Sequence, residues 1–160
     1  MAVEDIFTGA QTALTFYYAY LGAVGEEIGM ERALALDGQV CEAMGGAQGK
    51  MIREQSGIEE FDAQTAGQML SGAIRQGFGI VSEAIEESSE RVVLNVGRCP
   101  VYEAALAAGR DAEAVEASCR AGALRFMDAM AKELNPDLSY KLTKFRSSPE
   151  GHCTEEVVLG

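Results

Sequence analysis

A pair of strand-like segments occurs twice in the second half of this chain, and that repetition constrains the fold more than anything else. Ile80 to Glu87 and Arg91 to Val96 flank a short Glu-Ser-Ser-Glu turn, while Leu138 to Arg146 and Thr154 to Leu159 flank Ser147-Ser-Pro-Glu-Gly151. Short polar loops between strand-like runs are hairpin signals. In the third run Leu138, Tyr140 and Leu142 alternate with Ser139, Lys141 and Thr143, so one face is apolar. Two adjacent hairpins make a four-stranded antiparallel sheet, and its apolar face needs a cover.

The rest of the chain reads as that cover. Leu14, Tyr17, Tyr18, Leu21, Val24 and Ile28 recur at helical spacing, and Gly29 breaks the run. Met30 to Glu54 is a second helix despite Gly38, Gly45, Gly46 and Gly49, each of which costs about 1 kcal/mol against alanine. Such glycines mark either a close approach by another backbone or ligand, or a bend. Asp62 caps a third helix to about Gly77. Between the hairpins, Val101 to Ala108 forms a short helix stopped by Gly109. One longer helix then runs from its cap at Asp111 to about Leu134, ahead of Asn135-Pro136. The expectation is a single α+β domain, with a helical part over 1–78 and a hairpin-helix-helix-hairpin part over 79–160. A homodimer is expected through the apolar N-terminal helices.

Charge and cysteine usage narrow the function classes. A formal charge of −12 opposes nucleic-acid phosphates and an anionic membrane surface. The apolar run from Thr12 to Gly25 is too short to span a bilayer. The start, Met1-Ala-Val-Glu-Asp, lacks the basic residues of a signal peptide. Four cysteines occur without a Cys-x-x-Cys pair, so the expectation is a cytoplasmic protein with thiols free or metal-bound.

Several apparent motifs fail on chemistry. Gly45-Gly-Ala-Gln-Gly-Lys50-Met51 is one residue short of a phosphate loop, has Met51 where Ser or Thr would hold magnesium, and lies in a helical pattern. The only histidine, His152, has no Gly-x-Ser-x-Gly elbow to serve. Phe16, Tyr17, Tyr18 and Tyr20 read as core or dimer seam before they read as a cavity lining, and Cys41 as a small buried hydrophobe.

Cys99, Cys119, His152 and Cys153 remain as the candidate site. Cys99 opens a helix, where the dipole should lower its pKa and favour thiolate. Three readings stay open. Cys119 and Cys153, with His152 or Glu116, hold a metal, zinc before others; Glu116 and Cys119 share a helix face. Alternatively one of Cys99, Cys119 and Cys153 is a nucleophile with a neighbouring acid or His152 as its base. In the third reading the cysteines are unrelated and inert.

The segment Arg98-Cys-Pro-Val-Tyr-Glu103, then Cys119, Asn135-Pro-Asp-Leu138, Lys141-Leu-Thr-Lys-Phe145 and Gly151-His-Cys153, resembles the L-2-amino-thiazoline-4-carboxylate hydrolase family over about 80–159. That resemblance implies hydrolysis of a small cyclic amidine at a non-peptide C–N bond, opening the thiazoline ring to N-carbamoyl-cysteine. A thiolate or water would attack, with Glu103 or Glu116 moving protons. The chain is more distantly similar to 4-vinyl-reductase-type domains. That likeness implies a sensor or carrier of a small, often aromatic ligand with a zinc site, although Leu142 and Phe145 stand where further ligands would be expected.

Overall fold

In a computed structural model, which describes all residues from Met1 to Gly160, six helices and four strands follow in the order three helices, hairpin, three helices, hairpin. α1 (Val3–Ile28) and α2 (Met30–Ser56) meet at Gly29, whose φ of +89° reverses the chain where a side chain would be strained. α3 (Ala63–Phe78) starts on Asp62, whose carboxylate accepts from the Thr65 amide at 2.7 Å. It ends at Gly79 with φ +68°, and a Cβ there would stand 2.6 Å from the Phe7 amide nitrogen of α1.

β1 (Ser82–Glu87) and β2 (Arg91–Val96) form the first hairpin. α4 (Pro100–Ala107) opens with Pro100 in its first turn, where a missing amide hydrogen costs nothing. α5 (Ala112–Ala121) is capped by Asp111, which accepts from the Ala114 amide at 2.9 Å. The single helix expected from Asp111 to Leu134 is in fact two. Gly122 has φ −112° and ψ −77° and breaks it, so α6 (Ala123–Leu134) sets off separately. A Cβ on Gly122 would stand 2.6 Å from Asp37 Oδ2, so the break also makes room for a carboxylate of α2.

β3 (Leu138–Lys144) and β4 (Cys153–Leu159) form the second hairpin, and the sheet order is β1-β2-β4-β3, antiparallel throughout. Pairing of Val92 with Val157, Leu94 with Glu155 and Val96 with Cys153 puts those six side chains on one face, joined by Leu138, Tyr140 and Leu142 of β3. All of these except Glu155 and Leu142 are buried, and the helices cover them. α2 lies along α6 through glycines. A Cβ on Gly49 would come within 2.6 Å of the Met130 carbonyl oxygen, and one on Gly38 within 2.7 Å of the Ala121 carbonyl oxygen. The would-be phosphate loop is therefore a helix-packing seam.

Phe16, Tyr20, Leu36, Val40 and Met51 of α1 and α2 are exposed. No helix is long and apolar enough to cross a membrane.

Candidate functional site

α1, α2, α5 and α6 do not close fully over the sheet. They leave a cavity of about 490 Å³ whose lining is mainly apolar. Its polar lining is concentrated in two places. At the sheet, Glu155 of β4 accepts a short hydrogen bond from the Tyr140 hydroxyl of β3, two residues diagonally across the strands. At the helices, Asp37 of α2 accepts a short hydrogen bond from the Tyr17 hydroxyl of α1 and the Cys41 thiol at 3.6 Å. Cys99, Cys119 and the Tyr18 phenol also line the wall.

Burial is the largest influence on the titration of the thiols, the phenols and Glu155. It pushes the Cys99 thiol up to about 11, although the Val101 and Tyr102 amides and the Arg146 charge pull the other way. The helix-start thiolate expected from the sequence is thus overturned, because desolvation outweighs the helix dipole. Cys119 is raised well above the usual thiol range by burial, with the neighbouring Cys99, Glu155 and Cys153 adding to it. Cys41 rises to about 12 through burial and the Asp37 carboxylate. Glu155 is itself raised by burial, against the opposing pull of Tyr140 and Arg146. At neutral pH the three thiols are protonated, and Glu155 is the carboxyl group of this wall whose charged form burial disfavours.

Arg146, in the loop between β3 and β4, supports this wall from behind. It is buried, and its guanidinium donates to Cys153 Sγ at 3.3 Å and to the carbonyls of Gly151, Val96 and Gly97. It also lies over the Tyr102 ring of α4. The turn of the second hairpin is thereby tied to the end of β2.

The residues expected from the sequence divide. Cys99 and Cys119 line the cavity, and Cys153 is buried beside them in the core. Cys41 also reaches the cavity instead of sitting as an isolated hydrophobe. The aromatic run splits, with Tyr17 and Tyr18 in the lining and Phe16 and Tyr20 exposed. The other expected residues lie elsewhere. Glu103 is gripped by Arg98 through two hydrogen bonds at 3.0 Å, by a separate polar surface hollow with Gln11. Glu116 pairs with Arg120 at 2.7 Å on the outside of α5, and His152 is exposed. The zinc set of Cys119, Cys153, His152 and Glu116 does not assemble, and no three His, Cys, Asp or Glu side chains lie where they could hold a metal ion. Leu142 and Phe145 pack against the core instead.

Glu155, Tyr140, Asp37 and Arg146 were missed. A signal for Glu155 was present. Cys153, Val157 and Leu159 fix the inward parity of β4, and Glu155 shares it. A carboxylate at an inward position breaks the strand pattern, and such breaks concentrate at functional sites.

The architecture defines a class: an α+β protein in which helices cover one face of an antiparallel sheet and enclose a cavity between the layers. Residues 10–154 match the model of the L-2-amino-thiazoline-4-carboxylic acid hydrolase family, and the chain belongs to that family. The match takes in most of α1 and all of α2 and α3, so the family likeness is not confined to 80–159 as the sequence motifs suggested. No curated protein and no solved structure matches the chain.

Proposed function

We propose that this protein hydrolyses a small cyclic amidine in the cavity between helices and sheet, with Glu155 as the proton-transferring group. The observation that carries the reading is the Glu155–Tyr140 pair, a carboxyl group of raised pKa in an apolar, partly closed pocket. Family membership supplies the reaction class.

The attacking group in this mechanism is water. The thiols lining the cavity are protonated at neutral pH and make poor nucleophiles. Water adds to the amidine carbon, and its proton passes through Glu155 to the ring nitrogen. In the collapse of the tetrahedral adduct, Glu155 takes the proton of the new hydroxyl and delivers it to the departing ring sulfur. Opening a 2-amino-thiazoline to an N-carbamoyl thiol leaves both nitrogens on the central carbon. The bond broken is therefore carbon–sulfur, not the carbon–nitrogen bond that the resemblance suggested. The Tyr140 hydroxyl fixes one carboxylate oxygen of Glu155 and leaves the other to face the substrate.

The direct test is turnover of 2-amino-thiazolines with and without a 4-carboxylate. Glu155→Gln should lower kcat/KM by about a hundredfold or more, the usual weight of a general acid–base. Cys99→Ala, Cys119→Ala and Cys153→Ala should each keep turnover within about tenfold. Abolition by Cys119→Ala alone moves the attack from water to that thiol, and absence of turnover by the unaltered protein with every such substrate overturns the reading.

A second reading, a non-catalytic binder of a small apolar ligand, is favoured by one observation: the cavity's thiols are neutral and most of its wall is hydrocarbon. Saturable ligand binding with no turnover would select it.

A further inference from the structure

The cavity wall carries two carboxylates, Asp37 and Glu155, and no lysine, arginine or histidine. Each carboxylate has one oxygen engaged within the protein, Asp37 Oδ1 by Tyr17 and Cys41 and Glu155 Oε2 by Tyr140. The second oxygen of each makes no hydrogen bond, yet neither is sealed from solvent. The buried side-chain polar atom left without a partner is Arg110 Nε, outside this lining. The Tyr18 phenol lines the same wall, 4% exposed and without a hydrogen-bond partner. It lies near enough to Cys99, Cys119, Asp37 and Cys41 to feel all four. The free hydrogen-bonding groups of the wall are thus two carboxylate oxygens, a phenol and the weakly donating thiols of Cys99 and Cys119.

An acid group on a ligand would find no counter-charge here. Arg146, the buried cation behind the wall, already donates to three carbonyls and to Cys153 Sγ. Transferring a carboxylate out of water without a paired cation is costly, and the carboxyl groups of this wall offer none. The chain's net charge of −12 repels anions before they arrive and favours cations. The volume of about 490 Å³ falls in the range of drug-sized pockets, more than a five-membered ring with small substituents fills.

We infer that this member of the family takes a hydrophobic amidine or amine cation that carries no acid group, held between Glu155 and Asp37, and not the carboxylated thiazoline of the family's name. Hydrolysis of such a cation rests on the hydrolase reading, whereas its binding rests on the cavity lining and the charge of the chain.

Calorimetric titration of the whole protein with benzamidine and with its para-carboxylated analogue tests the ligand class. Benzamidine should bind at least about tenfold more tightly than the analogue. Glu155→Gln, or Asp37→Asn where the first variant fails to fold, should weaken benzamidine about ten- to hundredfold, the weight of a charge-assisted hydrogen bond. Equal or tighter binding of the carboxylated compound, no binding of benzamidine, or binding indifferent to both substitutions overturns the inference. Turnover of 4-phenyl- against 4-carboxy-2-amino-thiazoline separates it from the hydrolase reading. Faster hydrolysis of the carboxylate sinks the inference and leaves the hydrolase standing. Cation-selective binding with no hydrolysis of either does the reverse.

Discussion

Two stripes of one helix, α2, meet the protein in opposite ways. Gly45 and Gly49 let the backbone of α6, and Gly38 the last residue of α5, come so close that a methyl group would collide with carbonyl oxygens. The neighbouring stripe, Asp37, Cys41 and Met44, faces the cavity instead, with the exposed Met44 at its rim. Where the side chain is absent the layers touch, and where polar or long side chains stand the layers part. The glycine seam is a rigid rail that holds the cavity wall in place, which suits a site whose groups must be preorganised. The seam should therefore be intolerant of any added atom, while the cavity wall should sacrifice stability for chemistry.

The largest expected effect breaks the seam. A Cβ on Gly45 would overlap the Phe126 carbonyl oxygen of α6, so Gly45→Ala should destabilise by about 3 kcal/mol, seen as a lower urea midpoint with unchanged slope. Gly9→Ala is the control. Nothing lies within 4 Å of its Cβ, so it should gain up to about 1 kcal/mol from helix propensity. Equal responses of the two variants would show that the seam is not close-packed.

The next effect concerns the thiols of the wall. With Cys99 raised to about 11 and Cys41 to about 12, alkylation by iodoacetamide at pH 8 should be roughly a hundredfold slower than for an ordinary thiol near 8.5. Mass-spectrometric labelling should recover ordinary rates in urea. Fast labelling of Cys99 in the folded protein would restore the activated thiol that its helix-start position suggested.

The smallest effect is on stability. Because the folded pKa of Glu155 is raised, its contribution is fully present below the unfolded value of about 4.3 and lost as pH rises through the folded value. Glu155→Gln does not undergo that loss, so it should be more stable than the parent at pH 7 and nearly equal at pH 4. Urea midpoints at the two pH values check this. A variant less stable at pH 7 would mean that Glu155 serves the fold and not the site.

Most of the fold was legible because it rests on local signals. The hairpins followed from alternation and turn residues, and the caps at Asp62 and Asp111 and the break at Gly29 from residue chemistry. The break at Gly122 was missed because its reason lies in Asp37, 85 positions away (122 − 37). The candidate site was half legible. Cysteines attract attention in any sequence, and two of the three named lie in the cavity wall. Glu103 and Glu116 looked equally eligible as acids until arginine partners at the surface claimed them.

By itself the sequence determined the element types, the antiparallel pairing within each hairpin and the inward parity of β4, since periodicity and turn chemistry act over a few residues. Only the tertiary structure decided that β2 pairs with β4 to bring Cys153 and Glu155 under the helices, that α2 closes on α6 and parts from the sheet, and that Cys41, Cys99 and Cys119 are neutral. Those outcomes depend on distances and solvent exclusion between segments far apart in the chain. The local pattern at Cys99 predicts a thiolate, and only the packing around it adds the desolvation that reverses the sign.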